Sequence, residues 1–185
     1  MIVLVRSSTF LVTFIVLLLT YSCGSQRTFQ KKPPSQALGQ YEIIQIQDLN
    51  TTLQSYPPDI LWSIPNQLAE KLEEEKLFIG VSRSPVDLKK GVLILDGTLR
   101  DFTPKDWYKQ LVTTGKIVVD IRFVDKADNN VIADATFEGT AKWGLLGGGM
   151  IFADHRLISE IVKYIKLNYV HQAFLSFQNL PISSS

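Results

Sequence analysis

Hydrophobic and polar residues alternate with a period of two over residues 41–48, which predicts a strand with Ile44 and Ile46 on one face and Ile43 and Gln45 on the other. Pro57-Pro58 breaks that pattern. Beyond it the apolar residues Leu61, Ile64, Leu68 and Leu72 recur at helical spacing, so residues 59–76 form an amphipathic helix with Asp59 as cap. Pro65 lies inside this stripe; its missing amide predicts a kink, or a true start there with Ser63 as the cap. Alternation returns over 77–82 and again over 91–100. In the latter, Leu93, Leu95 and Leu99 face one way and Val92 and Ile94 the other. An apolar load on both faces predicts a central strand, and Gly97 inside it reads as a bulge. Residues 101–115 are a polar connection in which Trp107 is expected to pack on the sheet edge.

The clearest local element is a hairpin. Ile117, Val119, Ile121 and Phe123 alternate on one face of the first strand, and Val131, Ala133, Ala135 and Phe137 on one face of the second. Asp128-Asn129-Asn130 supplies a turn that tolerates left-handed backbone. Keeping both core faces together sets Asp125 against Val131, Arg122 against Asp134 and Val119 against Phe137, with Arg122 and Asp134 as a structural ion pair. The final helix runs over 153–169 on the stripe Ile158, Ile161, Ile165 and Tyr169, with Leu157 and Val162 beside it. The order strand, helix, strand, strand, hairpin, helix predicts an α+β fold. Two amphipathic helices pack on a mixed, mostly antiparallel sheet of about five strands, its first two strands parallel.

Residues 1–22 stand apart from this pattern. Their apolar core, 10–20, is shorter than the roughly 20 residues of a membrane-spanning helix and has the length of a signal-peptide core, with Arg6 the only charge. Residues 23–40 carry Gln, Lys, Pro and Ser without a hydrophobic period and read as a flexible tether. The globular domain is then 41–172, and 173–185 is a tail. Composition narrows the field further. With 19 Lys+Arg against 18 Asp+Glu, the chain lacks the basic excess of a nucleic-acid-binding domain. One cysteine and two histidines exclude an intramolecular disulfide and leave few metal ligands.

The search for chemistry yields little. Trp143-Gly144-Leu145-Leu146-Gly147-Gly148-Gly149-Met150 is a glycine-rich strand-to-helix loop, but the Lys-Ser/Thr of a phosphate loop is absent. Its apolar content makes it a candidate partner-contact loop instead. Glu73-Glu74-Glu75 reads as a solvated helix face. His155 beside Asp154 points elsewhere on the helix, and Asp96, Asp101 and Asp120 are scattered carboxylates. No catalytic residue, cofactor or metal is expected.

Tyr21-Ser22-Cys23-Gly24 resembles a bacterial lipoprotein cleavage box, in which the cysteine sulfur takes a diacylglycerol and the leader is cut before it. An ordinary secretory signal and an uncleaved anchor are the other readings. Residues 93–102 (Leu-Ile-Leu-Asp-Gly-Thr-Leu-Arg-Asp-Phe), the hairpin, the loop Gly144 to Gly149 and the closing Val-Lys-Tyr-Ile-Lys of 162–166 resemble, in that order, a bacterial lipoprotein family known as domain of unknown function 4410. The resemblance implies a lipid-anchored envelope domain facing the periplasm, and Gly24 after the cysteine is compatible with the outer membrane. It brings no catalytic residues. A non-catalytic binding or scaffold module is therefore expected, meeting the membrane through lipidated Cys23 and an envelope protein as candidate partner, with no nucleic acid and the oligomeric state open. A small-ligand or lipid-binding groove and an envelope hydrolase are the alternatives.

Overall fold

A computed structural model describes residues 33–103, 114–142 and 151–178. It is a mixed α+β structure: a six-stranded sheet with two helices on one face. The strands are β1 (Ile43–Ile46), β2 (Asn50–Thr51), β3 (Gly80–Ser82), β4 (Val92–Thr103), β5 (Thr114–Asp125) and β6 (Asn130–Lys142). The helices are α1 (Ile60–Glu75) and α2 (Ile151–Gln178). Sheet order is β3-β1-β4-β5-β6, with β2 beside β4 beyond the end of β1. β1 is parallel to both β3 and β4, whereas β4, β5 and β6 form an antiparallel meander. β4 is the central strand that its two apolar faces predict.

Pro65 does not mark the start of α1. It sits buried within the helix, and the Leu61 carbonyl that its missing amide would have engaged accepts the Leu49 amide at 2.9 Å. The lost helical bond is thus replaced by one that seats the turn between β1 and β2. Asp59 precedes the helix without a side-chain capping bond, contrary to the capping role expected of it. Lys76, left-handed at φ 53°, ends the helix. The strand expected at 77–82 shrinks to Gly80–Ser82, because Phe78 turns into the core, edge-on to Tyr169 at 5.5 Å between ring centres.

Gly97 is not the bulge. The register slips between Leu99 and Asp101, and the Arg100 guanidinium reaches Asp120 at 3.0 Å. Gly97 serves a close approach instead: a Cβ there would collide with Leu49 Cδ2 and come within 3.0 Å of Ile121 Cδ1. The hairpin register holds over most of its length, with Arg122 opposite Asp134 and Val119 opposite Phe137. At its turn end it differs. Asp125 pairs with Asn130 and Val124 with Val131, and a bulge between Phe123 and Val124 turns Val131 outward while Ile132 is buried. Nor does Arg122 pair with Asp134; it bonds Asp96 across on β4. Asp96 is the more enclosed carboxylate and gains more from a counter-ion, whereas Asp134 sits in water at the sheet edge.

Two boundaries move as well. The stretch 35–40, assigned to the tether, is part of the domain: Leu38 is fully buried in a single 3-10 turn, and Ser35 donates its amide to Ile132 O at 2.8 Å. Helix α2 continues past 169 to Gln178, so it takes in residues 173–178 of the segment read as a tail.

The core lies between the sheet and both helices. Ile44, Leu93, Leu95, Leu99, Ile117, Val119, Phe123 and Phe137 meet Ile64, Leu68 and Leu72 of α1 and Leu157, Ile161 and Ile165 of α2. Tyr164 wedges between Phe123 and Phe137, with ring centres at 5.5 and 5.6 Å, and burial pushes its phenol up to about 12. Apart from Phe137, which packs against Tyr164, the inner face of β6 carries small residues (Ala133, Ala135, Gly139, Ala141), which lets α2 lie close upon it. The other face of the sheet carries Val92, Ile94 and Val118 together with ion pairs such as Arg122–Asp96, Arg100–Asp120 and Lys116–Asp101.

Candidate functional site

The outer edge of β6 follows from the parity of the ladders. The Lys126 amide bonds Val92 O, so even-numbered residues of β5 turn their backbone toward β4 and odd-numbered ones toward β6. In β6 the even-numbered residues therefore present N–H and C=O away from the sheet. The two ends of this edge are stoppered. Ile132 O accepts the Ser35 amide, and Thr140 O accepts Arg156 Nη1 at 3.0 Å. Between them lie Asp134, Thr136 and Glu138, whose outward backbone groups meet no partner among the described residues. Thr136 Oγ1 donates to Asp120 Oδ1 at 2.7 Å, which fixes its side chain onto the sheet face. The Asp134 and Glu138 carboxylates flank it on the same face, and neither is in a salt bridge among the described residues. Four residues of strand separate them by about 13 Å.

A second concavity lies between the helices. It encloses about 730 Å³ over the apolar floor of Ile158 and Val162, with Gln67, Glu70 and Lys71 on the α1 side and His155, Ser159 and Lys163 on the α2 side. Lys166 bonds Glu75 at 2.6 Å, joining the two helices, and this contact holds the Glu75 carboxyl below its ordinary value. Lys71 and Glu74 pair at 2.5 Å on α1.

The candidate residues from sequence fall in different places. Cys23 and the loop Gly144, Leu145, Leu146, Gly147, Gly148, Gly149 lie outside the described residues, as does Trp107. Asp96, Asp101 and Asp120 do share the open sheet face, but each is held by a cation. His155 lines the interhelical groove together with Glu70, Glu74 and Glu75, of which Glu74 and Glu75 are bound by lysines. No group of three or more His, Cys, Asp or Glu among the described residues is placed to hold a metal. Sequence reasoning missed the Asp134–Glu138 edge. The i, i+4 carboxylates are visible in the alternating pattern, but which strand forms the edge is decided by strand order.

Asp154, in the first turn of α2, is about half-buried, and that burial raises its pKa, with the charge of Asp59 adding to it and that of His155 opposing. A carboxyl raised in the folded state stabilises the fold while it is protonated. That contribution is complete below its unfolded value and is lost as pH rises through the folded one. Asp154→Asn should therefore melt higher than the parent at pH 7, with the gap closing by pH 3. An equal gap at both pH values, read by thermal unfolding, would remove burial as the cause.

No protein-family model matches the chain, and no curated protein matches it in sequence. Solved structures do. The PelC dodecamer from Paraburkholderia phytofirmans, in its P6 crystal form, aligns with a TM-score of 0.56 at 16% identity, over 75% of this chain and 96% of that one. A single-substitution variant of the same protein aligns at 0.53, with 18% identity over 75% and 95% of the two chains. Lipoprotein GNA1162 from Neisseria meningitidis aligns at 0.41, with 12% identity over 68% and 98%. At these identities the PelC alignments establish a shared fold. Among the described residues no helix is long and apolar enough to cross a membrane.

Proposed function

We propose that this chain is a non-catalytic binding or scaffold module of the bacterial cell envelope, anchored by lipid on Cys23 and facing the periplasm, its balanced charge arguing against a nucleic-acid partner. The open middle of the β6 edge carries this reading: a row of outward backbone groups with two carboxylates that have no salt-bridge partner among the described residues is a surface suited to another polypeptide. The leader that ends at Ser22-Cys23-Gly24, and the resemblance to domain of unknown function 4410, support the anchor and an outer-membrane address. Two or more acyl chains, at about 0.8 kcal/mol per buried methylene, hold a soluble domain stably on a bilayer. PelC, which shares the fold, is a dodecamer, so assembly of copies is compatible with the same reading. The loop Gly144 to Gly149 is a further candidate contact.

Two measurements test the proposal. Cys23→Ala should move the chain from the membrane to the soluble fraction while it still melts cooperatively; a variant that stays on the membrane would remove the lipid anchor. A benzophenone side chain in place of the exposed Val131, beside the edge, should give discrete protein adducts in growing cells. Illumination without adducts would remove the binding role. The interhelical groove supports a second reading, a small-ligand or lipid site, because its volume lies within the range of ligand pockets.

A further inference from the structure

We infer that the open stretch of the β6 edge is filled by residues 27–31 of a second copy of this chain, added as a short antiparallel strand. The inference deepens the proposed function and rests on its reading of β6 as a contact edge. A strand that pairs with Asp134, Thr136 and Glu138 and also neutralises both carboxylates must carry cations four residues apart, since opposite residues of an antiparallel pair share a face. Arg27-Thr28-Phe29-Gln30-Lys31 has that spacing. Antiparallel pairing with Lys31 opposite Asp134 sets Phe29 opposite Thr136 and Arg27 opposite Glu138. Both charges are met in one register.

The chain's own segment cannot take that register in step. Ser35 is already seated on Ile132 O, and an antiparallel continuation from there would set Pro33 opposite Asp134 and Lys31 opposite Thr136. Pro33 has no amide to donate to the Asp134 carbonyl, and neither carboxylate then faces a cation. A second copy is free of this constraint. Its Pro33-Pro34 would end the added strand at the point where the acceptor's own Ser35 occupies the edge. Direct pairing of two β6 edges about Thr136 is disfavoured, because it sets Asp134 against Glu138 of the other copy. Five residues of strand pair weakly alone. Copies held on one membrane raise the effective concentration that such a contact needs. Donor and acceptor surfaces differ, so the contact is heterologous and closes by reciprocal exchange or as a ring.

The test uses the full chain in the membranes of the cells that make it, with a benzophenone side chain in place of Phe29 and two co-expressed copies carrying different tags. Illumination should give an adduct of doubled mass containing both tags, with the cross-link mapped to 134–138. Asp134→Lys with Glu138→Lys in the acceptor should reduce it at least tenfold, and Arg27→Glu with Lys31→Glu in the donor should restore it. If the lysine pair fails to fold, Asp134→Asn with Glu138→Gln should still weaken the adduct severalfold. A cross-link confined to one chain would assign the edge to the chain's own segment and overturn the inference. An adduct with a different protein would overturn it too, while leaving the proposed binding role standing. No adduct from Phe29, with adducts still formed from Val131, would likewise overturn it.

Discussion

Replacing Gly139 with alanine is expected to lower stability by about 3 kcal/mol or more, the upper end of the range for overpacked sites. A Cβ at this position would overlap the Ala153 carbonyl oxygen and lie 2.8 Å from Leu157 Cβ. The obstacle is helix backbone, which cannot rotate away as a side-chain tip can. Relief requires α2 to lift off β6, and that would loosen the packing of Leu157, Ile161 and Tyr164 along the same helix face. Gly80→Ala is the matching control. Its added methyl would meet only Ile43 side-chain carbons, the nearest at 3.6 Å, an ordinary contact. Urea unfolding of the two variants should separate them by at least about 2 kcal/mol. Equal midpoints would mean that α2 does not press on β6 as described.

Leu38→Ala is expected to cost about 2–4 kcal/mol, the range for removing a fully enclosed leucine. The residue precedes β1 in a stretch whose composition reads as tether, where such a change would cost nothing. In the structure it is completely buried, and the 3-10 turn that carries it packs against α2. Gly39 next to it would bring a Cβ to 3.2 Å from the Tyr169 carbonyl oxygen, so this turn and the helix are in close contact. Leu88→Ala, at an exposed position, should change stability by no more than about 0.5 kcal/mol. Thermal unfolding that shows the two leucine variants alike would return residues 35–40 to the tether.

The elements with a strong period were legible without coordinates. β4, β5, β6, α1 and α2 lie where alternation or three-and-four spacing puts them, since that period reports directly which face meets the core. The central place of β4 was legible too, from apolar residues on both of its faces. Weaker signals misled wherever a neighbour distant in sequence decided the outcome. Pro65 reads as a kink or a start of the helix, but the helix runs through it and Leu49 supplies a partner for the freed Leu61 carbonyl. Gly97 reads as a bulge, but Leu49 fills its vacant side-chain space. Leu38 reads as linker because one apolar residue among polar ones has no period.

The candidate site divides along the same line. Asp134 and Glu138 lie on one face of β6 by alternation alone, and Arg27 and Lys31 have matching spacing. The apolar run of residues 10–20, the lone cysteine and the balanced charge are likewise properties of the sequence. Only the tertiary structure decided that β6 is an outer strand, that Ser35 and Arg156 close its two ends, and that Arg122 is drawn to Asp96 rather than to Asp134. The physical reason is range. Periodicity and turn chemistry act between residues a few positions apart, whereas strand order, edge exposure and choice of counter-ion depend on groups brought together by burial of the common core.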